Sequence, residues 1–164
     1  MLRLAQRVSG WMVFVIGFYA MAGVTNYPTA PDLELTPGAL CQSADEYRYP
    51  AKIAYCDRDV STVAKWAIIS TYMKKYNFSV NNTNRTEFKI DHFIPLCMGG
   101  ANSYTNLWPQ HKSVYTLSDP YEVVLCQKLA QGKITQEQAI EKMKYGKMNY
   151  QMIPALIKDA NKLK

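Results

Sequence analysis

From Val63 onward, apolar residues recur at steps of three and four: Val63, Trp66, Ile69, Met73 and Tyr76. With Ser61 placed as an N-cap, this spacing predicts a helix whose apolar stripe faces the core. The stretch from Asn77 to Thr86 is polar and holds four asparagines, which predicts a surface loop. Its Asn-x-Ser/Thr triplets bear only on a eukaryotic secretory route. The period then changes to two. Phe88, Ile90, His92 and Ile94 alternate with Lys89, Asp91 and Phe93, as in a strand. Gly99-Gly100 predicts a turn, and Asn106-Leu107-Trp108 a short second strand stopped by Pro109.

The C-terminal third reads as helical. Asp119 as N-cap, Pro120 in the first turn and Glu122 three residues after the cap predict one helix, ended by Gly132. Thr135 and Gln138 form a second capping box, with Gly146 as the stop. The segment 151–164 predicts a basic amphipathic helix or tail. Two strands bracketed by helices make an α+β domain. Its expected bounds are 37–150, and the prolines at 28, 31 and 37 mark residues 23–36 as a linker. No internal repeat or low-complexity tract is present.

The N-terminus follows a different pattern. Arg3 and Arg7 precede an uncharged apolar run from Trp11 to Val24, and Ala20-Met21-Ala22 has small residues where a signal peptidase requires them. Residues 1–22 therefore read as a secretory signal peptide. The run is shorter than the ~20 residues a spanning helix needs, and an uncleaved anchor is the alternative.

Composition adds little by itself. The chain has 164 residues, 48% hydrophobic and 20% charged, which argues for one globular domain and against a disordered or fibrous chain. Cleavage after Ala22 lowers the formal charge from +6 to +4, with 17 basic against 13 acidic residues. That balance suits an anionic partner without requiring one. Export also changes the reading of Cys41, Cys56, Cys97 and Cys126. An even count in an oxidising compartment predicts two disulfides, with three connectivities possible. A four-thiolate zinc site is the rival, but no Cys-x-x-Cys pair exists to nucleate it. The expected pairs are Cys41–Cys56, closing a short loop, and Cys97–Cys126, tying the loop after the first strand to the following helix.

Asp91 and His92 are the candidate chemistry, a carboxylate adjacent to one of only two histidines. Strand neighbours point to opposite faces, so the two converge only if the strand ends or bulges there. Taken alone, the dipeptide describes one exposed carboxylate and one packed imidazole.

Its context is more specific. The run Asp91-His92-Phe93-Ile94-Pro95-Leu96, then Gly99-Gly100-Ala101-Asn102, then Asn106-Leu107-Trp108-Pro109-Gln110 resembles the HNH endonucleases with a ββα-metal core. More narrowly, it looks like a bacterial exported subgroup. The Leu40-Cys41 and Tyr55-Cys56 flanks, the Ile68-Ile69 helix and the Gly132-Lys133-Ile134 turn are similar as well. The resemblance implies a disulfide-stapled ββα core that hydrolyses DNA or RNA phosphodiesters with low sequence specificity. It implies His92 as general base, Asp91 as ligand to a divalent ion such as Mg²⁺, and Asn106 as the residue that ties the loop and orients the base. The family's further ligand, on the helix about nine residues after that asparagine, falls on Tyr115, a poor Mg²⁺ ligand. His111 is the candidate replacement. Lys112 and Trp108 are candidates for contact with phosphate and base, and Asn102 reads as a turn residue. The expected product is a monomeric, secreted or periplasmic nuclease without stable membrane association after cleavage. The alternative is an exported nucleic-acid-binding module of the same fold that has lost its metal. A disulfide-stapled interaction protein would explain the cysteines but not the motif.

Overall fold

The computed structural model describes residues 27–163, so the expected signal peptide lies outside the described residues. Strands β1 (Glu46–Arg48) and β2 (Ile53–Tyr55) form an antiparallel hairpin that the apolar pattern does not suggest. Helix α1 (Thr62–Tyr76) follows, then β3 (Phe88–His92), β4 (Leu107–His111) and α2 (Lys112–Ala130). Helices α3 (Gln136–Met148) and α4 (Ile153–Asn161) complete the chain. The class is α+β, and the order β3–loop–β4–α2 is a ββα unit.

Strands β3 and β4 pair antiparallel, with Phe88 opposite His111, Ile90 opposite Pro109 and His92 opposite Leu107. Pro109 does not stop β4 as expected. In a two-stranded ribbon each strand has an open edge, and a proline is tolerated where its missing N–H would face that edge. One core cluster joins the ribbon to α1 through Ile68, Ile69, Tyr72, Ile90, Leu107 and Trp108. A second joins α2, α3 and α4 through Tyr121, Leu125, Met143, Ile153 and Ala160, with Ile94 and Met98 beneath them.

Ser61 caps α1 as expected, its hydroxyl accepting from the Ala64 amide at 3.1 Å. The buried face of α1, however, is Ile68, Ile69 and Tyr72. Val63 is 79% exposed, and Trp66 lies outside under the Arg85 guanidinium. Asp119 is no N-cap. α2 begins seven residues earlier, at Lys112, and Pro120 lies within it. Gly132 does terminate α2, in a left-handed conformation, φ 69°. The Thr135–Gln138 capping box forms as expected. Gly146 is not a stop but lies inside α3, where a Cβ would come 2.7 Å from the Tyr121 ring.

The expected linker is packed over its described part. Asp32 takes a hydrogen bond from the Tyr76 hydroxyl, and its backbone N–H donates to the Tyr72 hydroxyl. Thr36 is fully buried and donates to the Leu107 carbonyl. At the other end, α4 buries Ile153 and Ala160 and so belongs to the domain. Both expected disulfides are present, Cys41–Cys56 and Cys97–Cys126. No described helix is long and apolar enough to cross a membrane.

Candidate functional site

The site lies where β3 ends, and the loop after it is shaped by Asn106 and Gly100. The Asn106 side chain accepts from the Ile94 amide at 2.8 Å and donates to the carbonyls of Ile94 and Ala101, each at 2.9 Å. Its own backbone carbonyl accepts from Phe93. A Cβ on Gly100 would sit 1.7 Å from the Ile94 carbonyl oxygen, so only glycine permits this approach. Asn102 is thereby brought to His92.

His92 is buried, with both ring nitrogens engaged. Nδ1 lies 3.1 Å from Arg58 Nη1 and Nε2 2.9 Å from Asn102 Oδ1. A guanidinium only donates, so Nδ1 accepts and Nε2 carries the proton. The Asn102 orientation is fixed independently, because its Nδ2 donates to the Asp57 carbonyl at 2.6 Å. Burial, together with the Arg58 charge and against the Asn102 hydrogen bond, brings the imidazole down to about 4. His92 is therefore neutral at pH 7. Arg58 is exposed and also donates to the Ile90 carbonyl at 2.7 Å. It makes no ion pair with a carboxylate among the described residues.

Asp91 points away from His92, as alternation requires. Its Oδ2 lies 2.7 Å from Lys147 Nζ and its Oδ1 3.3 Å from Lys89 Nζ. Burial alone would raise its pKa, but the two lysines hold it below the usual carboxylate range. Lys147 has no exposed side-chain surface and also donates to the His92 carbonyl at 2.5 Å and to Glu122 at 3.3 Å. Burial and the Asp91 charge push Glu122 upward, against the pull of Lys147.

The remaining candidates lie elsewhere. His111 pairs across from Phe88, three residues back from Asp91, and alternation places it on the opposite face. There it caps α2, accepting from the Ser113 amide, and stacks on Tyr27 with centroids 3.9 Å apart. Asp91 and His111 therefore cannot share a metal ion. Lys112 follows His111 at that far end and is paired with Glu87 at 2.6 Å. Trp108 is fully buried in the α1 core, so it cannot stack on a nucleotide. Tyr115 lies under Lys89 Nζ, 5.1 Å from the ring centroid.

The donor set does not fit a divalent ion at Asp91. Lysine ammoniums hold both carboxylate oxygens, and no group of three His, Cys, Asp or Glu side chains with metal-holding geometry occurs among the described residues. The site that forms is Asp91, His92 and Asn106 with Arg58, Asn102, Glu122 and Lys147, four residues that the sequence motif does not assign to it. Of these, Asn102 lies within the motif, where it reads only as a turn residue, and Lys147 carries a signal of its own. It falls in phase with Ala139 and Met143, the buried stripe of α3.

Compared with protein-family models, curated proteins and solved structures, the chain matches none.

Proposed function

We propose that this chain is an exported endonuclease that hydrolyses phosphodiester bonds of nucleic acid at the end of β3, with His92 as general base. The observation that carries the reading is a neutral imidazole in a ββα unit, seated against an exposed guanidinium that has no carboxylate partner among the described residues. Arg58 meets the phosphate. A phosphate competes well for that guanidinium, because its oxygens are anionic and can take two parallel N–H bonds, whereas the imidazole nitrogen and the Ile90 carbonyl are neutral acceptors. Once Arg58 turns to the phosphate, the Nδ1 lone pair is free to take a proton from water as its oxygen bonds to phosphorus. The P–O bond to the sugar oxygen breaks, that oxygen leaves with a proton from solvent, and Asn102 keeps the other imidazole nitrogen protonated. Export agrees with the two disulfides, which persist in oxidising compartments.

A second reading, a binding module of the same fold without catalysis, is favoured by the engagement of Asp91 with Lys147. A plasmid-nicking assay separates the two, run in EDTA and with Mg²⁺, Mn²⁺, Ca²⁺ or Zn²⁺ and paired with binding to a labelled duplex. Nicking that is lost in Arg58→Ala and in His92→Ala supports the nuclease. Salt-sensitive binding with no nicking under any condition leaves the binding module.

A further inference from the structure

Three oxygens converge on one buried nitrogen at this site. Asp91 Oδ2, the His92 carbonyl and Glu122 Oε2 lie 2.7, 2.5 and 3.3 Å from Lys147 Nζ. Two carboxylates and a carbonyl form the hard oxygen set that a divalent cation takes. Here an ammonium occupies the centre. It has three N–H donors and no acceptor, and these three oxygens use all three.

The surroundings hold it there. Lys147 lies in the buried stripe of α3, which is fixed at its start by the Thr135–Gln138 box and packed on α2 through Gly146 and Tyr121. The second oxygen of Asp91 faces Lys89, which is anchored in turn by Asp119 at 2.6 Å. A divalent ion at Asp91 would have to expel a buried ammonium or sit beside it with like charge. The first leaves a buried charge without its partner and the second sets two cations side by side in a buried site, and both are costly.

We infer that Lys147 is the resident cation of this site: its ammonium takes the position of a divalent ion against Asp91, Glu122 and the His92 carbonyl, so the centre loads no metal. Lys147 touches no substrate and is a positioning residue, fixing the backbone of His92 from beneath. The inference rests on the proposed function only in assigning the cation of the same site.

The test uses the disulfide-intact protein with Mn²⁺ as the probe, added to about 1 mM, the weak end of the range for carboxylate sites. Paramagnetic broadening of backbone amides reports where the ion binds. In wild type the amides of Asp91, His92 and Phe93 are expected to stay sharp, and the thermal midpoint is expected to be the same in EDTA and in Mn²⁺. In Lys147→Ala the three oxygens lose their ammonium, and those same amides should broaden on Mn²⁺ addition. Broadening of these amides in wild type overturns the inference. So does a folded Lys147→Ala whose amides remain sharp. If Lys147→Ala does not fold, the wild-type spectra decide. No readout depends on cleavage, so a wild type that binds no Mn²⁺ and cuts nothing sinks the nuclease reading and leaves Lys147 as the resident cation.

Discussion

Burial of His92 carries a cost that depends on pH. An unfolded histidine titrates near 6.5, whereas the folded imidazole is held at about 4. Above pH 6.5 neither state binds the proton and the packing is fully favourable. As pH falls from 6.5 towards 4, the unfolded chain takes up a proton that the folded one refuses, so stability declines across that window. The slope approaches 1.4 kcal/mol per pH unit, about 3 kcal/mol in total. Urea unfolding at pH 7, 5.5 and 4 should show wild type losing more than His92→Gln, which has nothing to titrate. Parallel curves would mean that the imidazole is less enclosed than it looks. Catalysis provides a separate reading of the same residue. If His92 is the base, His92→Ala should cut cleavage by about 10²–10⁴-fold while duplex binding survives. The partners of His92 show why the chain pattern alone could not complete the site. Arg58 is 34 residues from His92 in sequence, and Asn102 Nδ2 reaches back 45 residues to Asp57. Only the fold brings them together. Lys147 is the exception, since a lysine in phase with an apolar stripe is legible in the chain pattern itself.

Among the elements, local chemistry was legible where the signal was local. Ser61 and the Thr135–Gln138 pair cap the helices they were expected to cap, because a side-chain oxygen three residues from an amide needs nothing from the rest of the fold. Thr135→Ala should accordingly lower stability by about 1 kcal/mol in urea unfolding and leave the β3 site intact. Pro109, Pro120 and Gly146 misled, whereas Gly132 ended its helix as expected. Asp119-Pro120 has the form of a helix start, yet the buried positions Val114, Ser118, Tyr121, Leu125 and Leu129 run straight through it. Ser118 breaks the apolar stripe because it is satisfied inside, accepting from Gln110 at 2.9 Å. The phase of α1 slipped for a similar reason. Trp66 and Val63 are apolar but face outward, and the buried set is centred on Ile68, Ile69 and Tyr72. Gly100 has the more severe constraint. Any side chain there overlaps the Ile94 carbonyl, which cannot move without breaking its bond to Asn106. Gly100→Ala should cost about 3 kcal/mol or more, by the overpacking mechanism. It should also release Asn102 from His92, and because that hydrogen bond holds the imidazole pKa up against burial, its loss would appear as a further fall in the pKa measured by NMR. An unchanged titration would show that the loop holds Asn102 without Gly100.

Across the whole molecule, the disulfides join parts that share little secondary structure. Cys41–Cys56 closes the segment containing the β1–β2 hairpin, and the Cys41 amide donates to the Gly99 carbonyl, linking that hairpin to the site loop. Cys97–Cys126 ties the opposite side of the same loop to α2. The stretch from 93 to 102 is thus held from both sides, although only a short ribbon supports it. Their main contribution is to restrict the unfolded chain. Closing loops of 15 and 29 residues is worth about 3 and 3.5 kcal/mol by chain entropy. The two should differ in what they do to the site. Replacing Cys97 and Cys126 together with alanine should lower stability by about 3 kcal/mol in urea unfolding and leave the site in place, because α2 remains packed against Ile94 and Met98 without the link. Replacing Cys41 and Cys56 should cost a similar amount and also loosen Asp57 and Arg58, the residues immediately after Cys56. The Arg58 contact to His92 should then weaken, and the Nδ1 resonance should shift in the folded variant. If both double variants lose stability equally and neither perturbs His92, the first disulfide serves stability alone, and the Arg58 contact owes nothing to it.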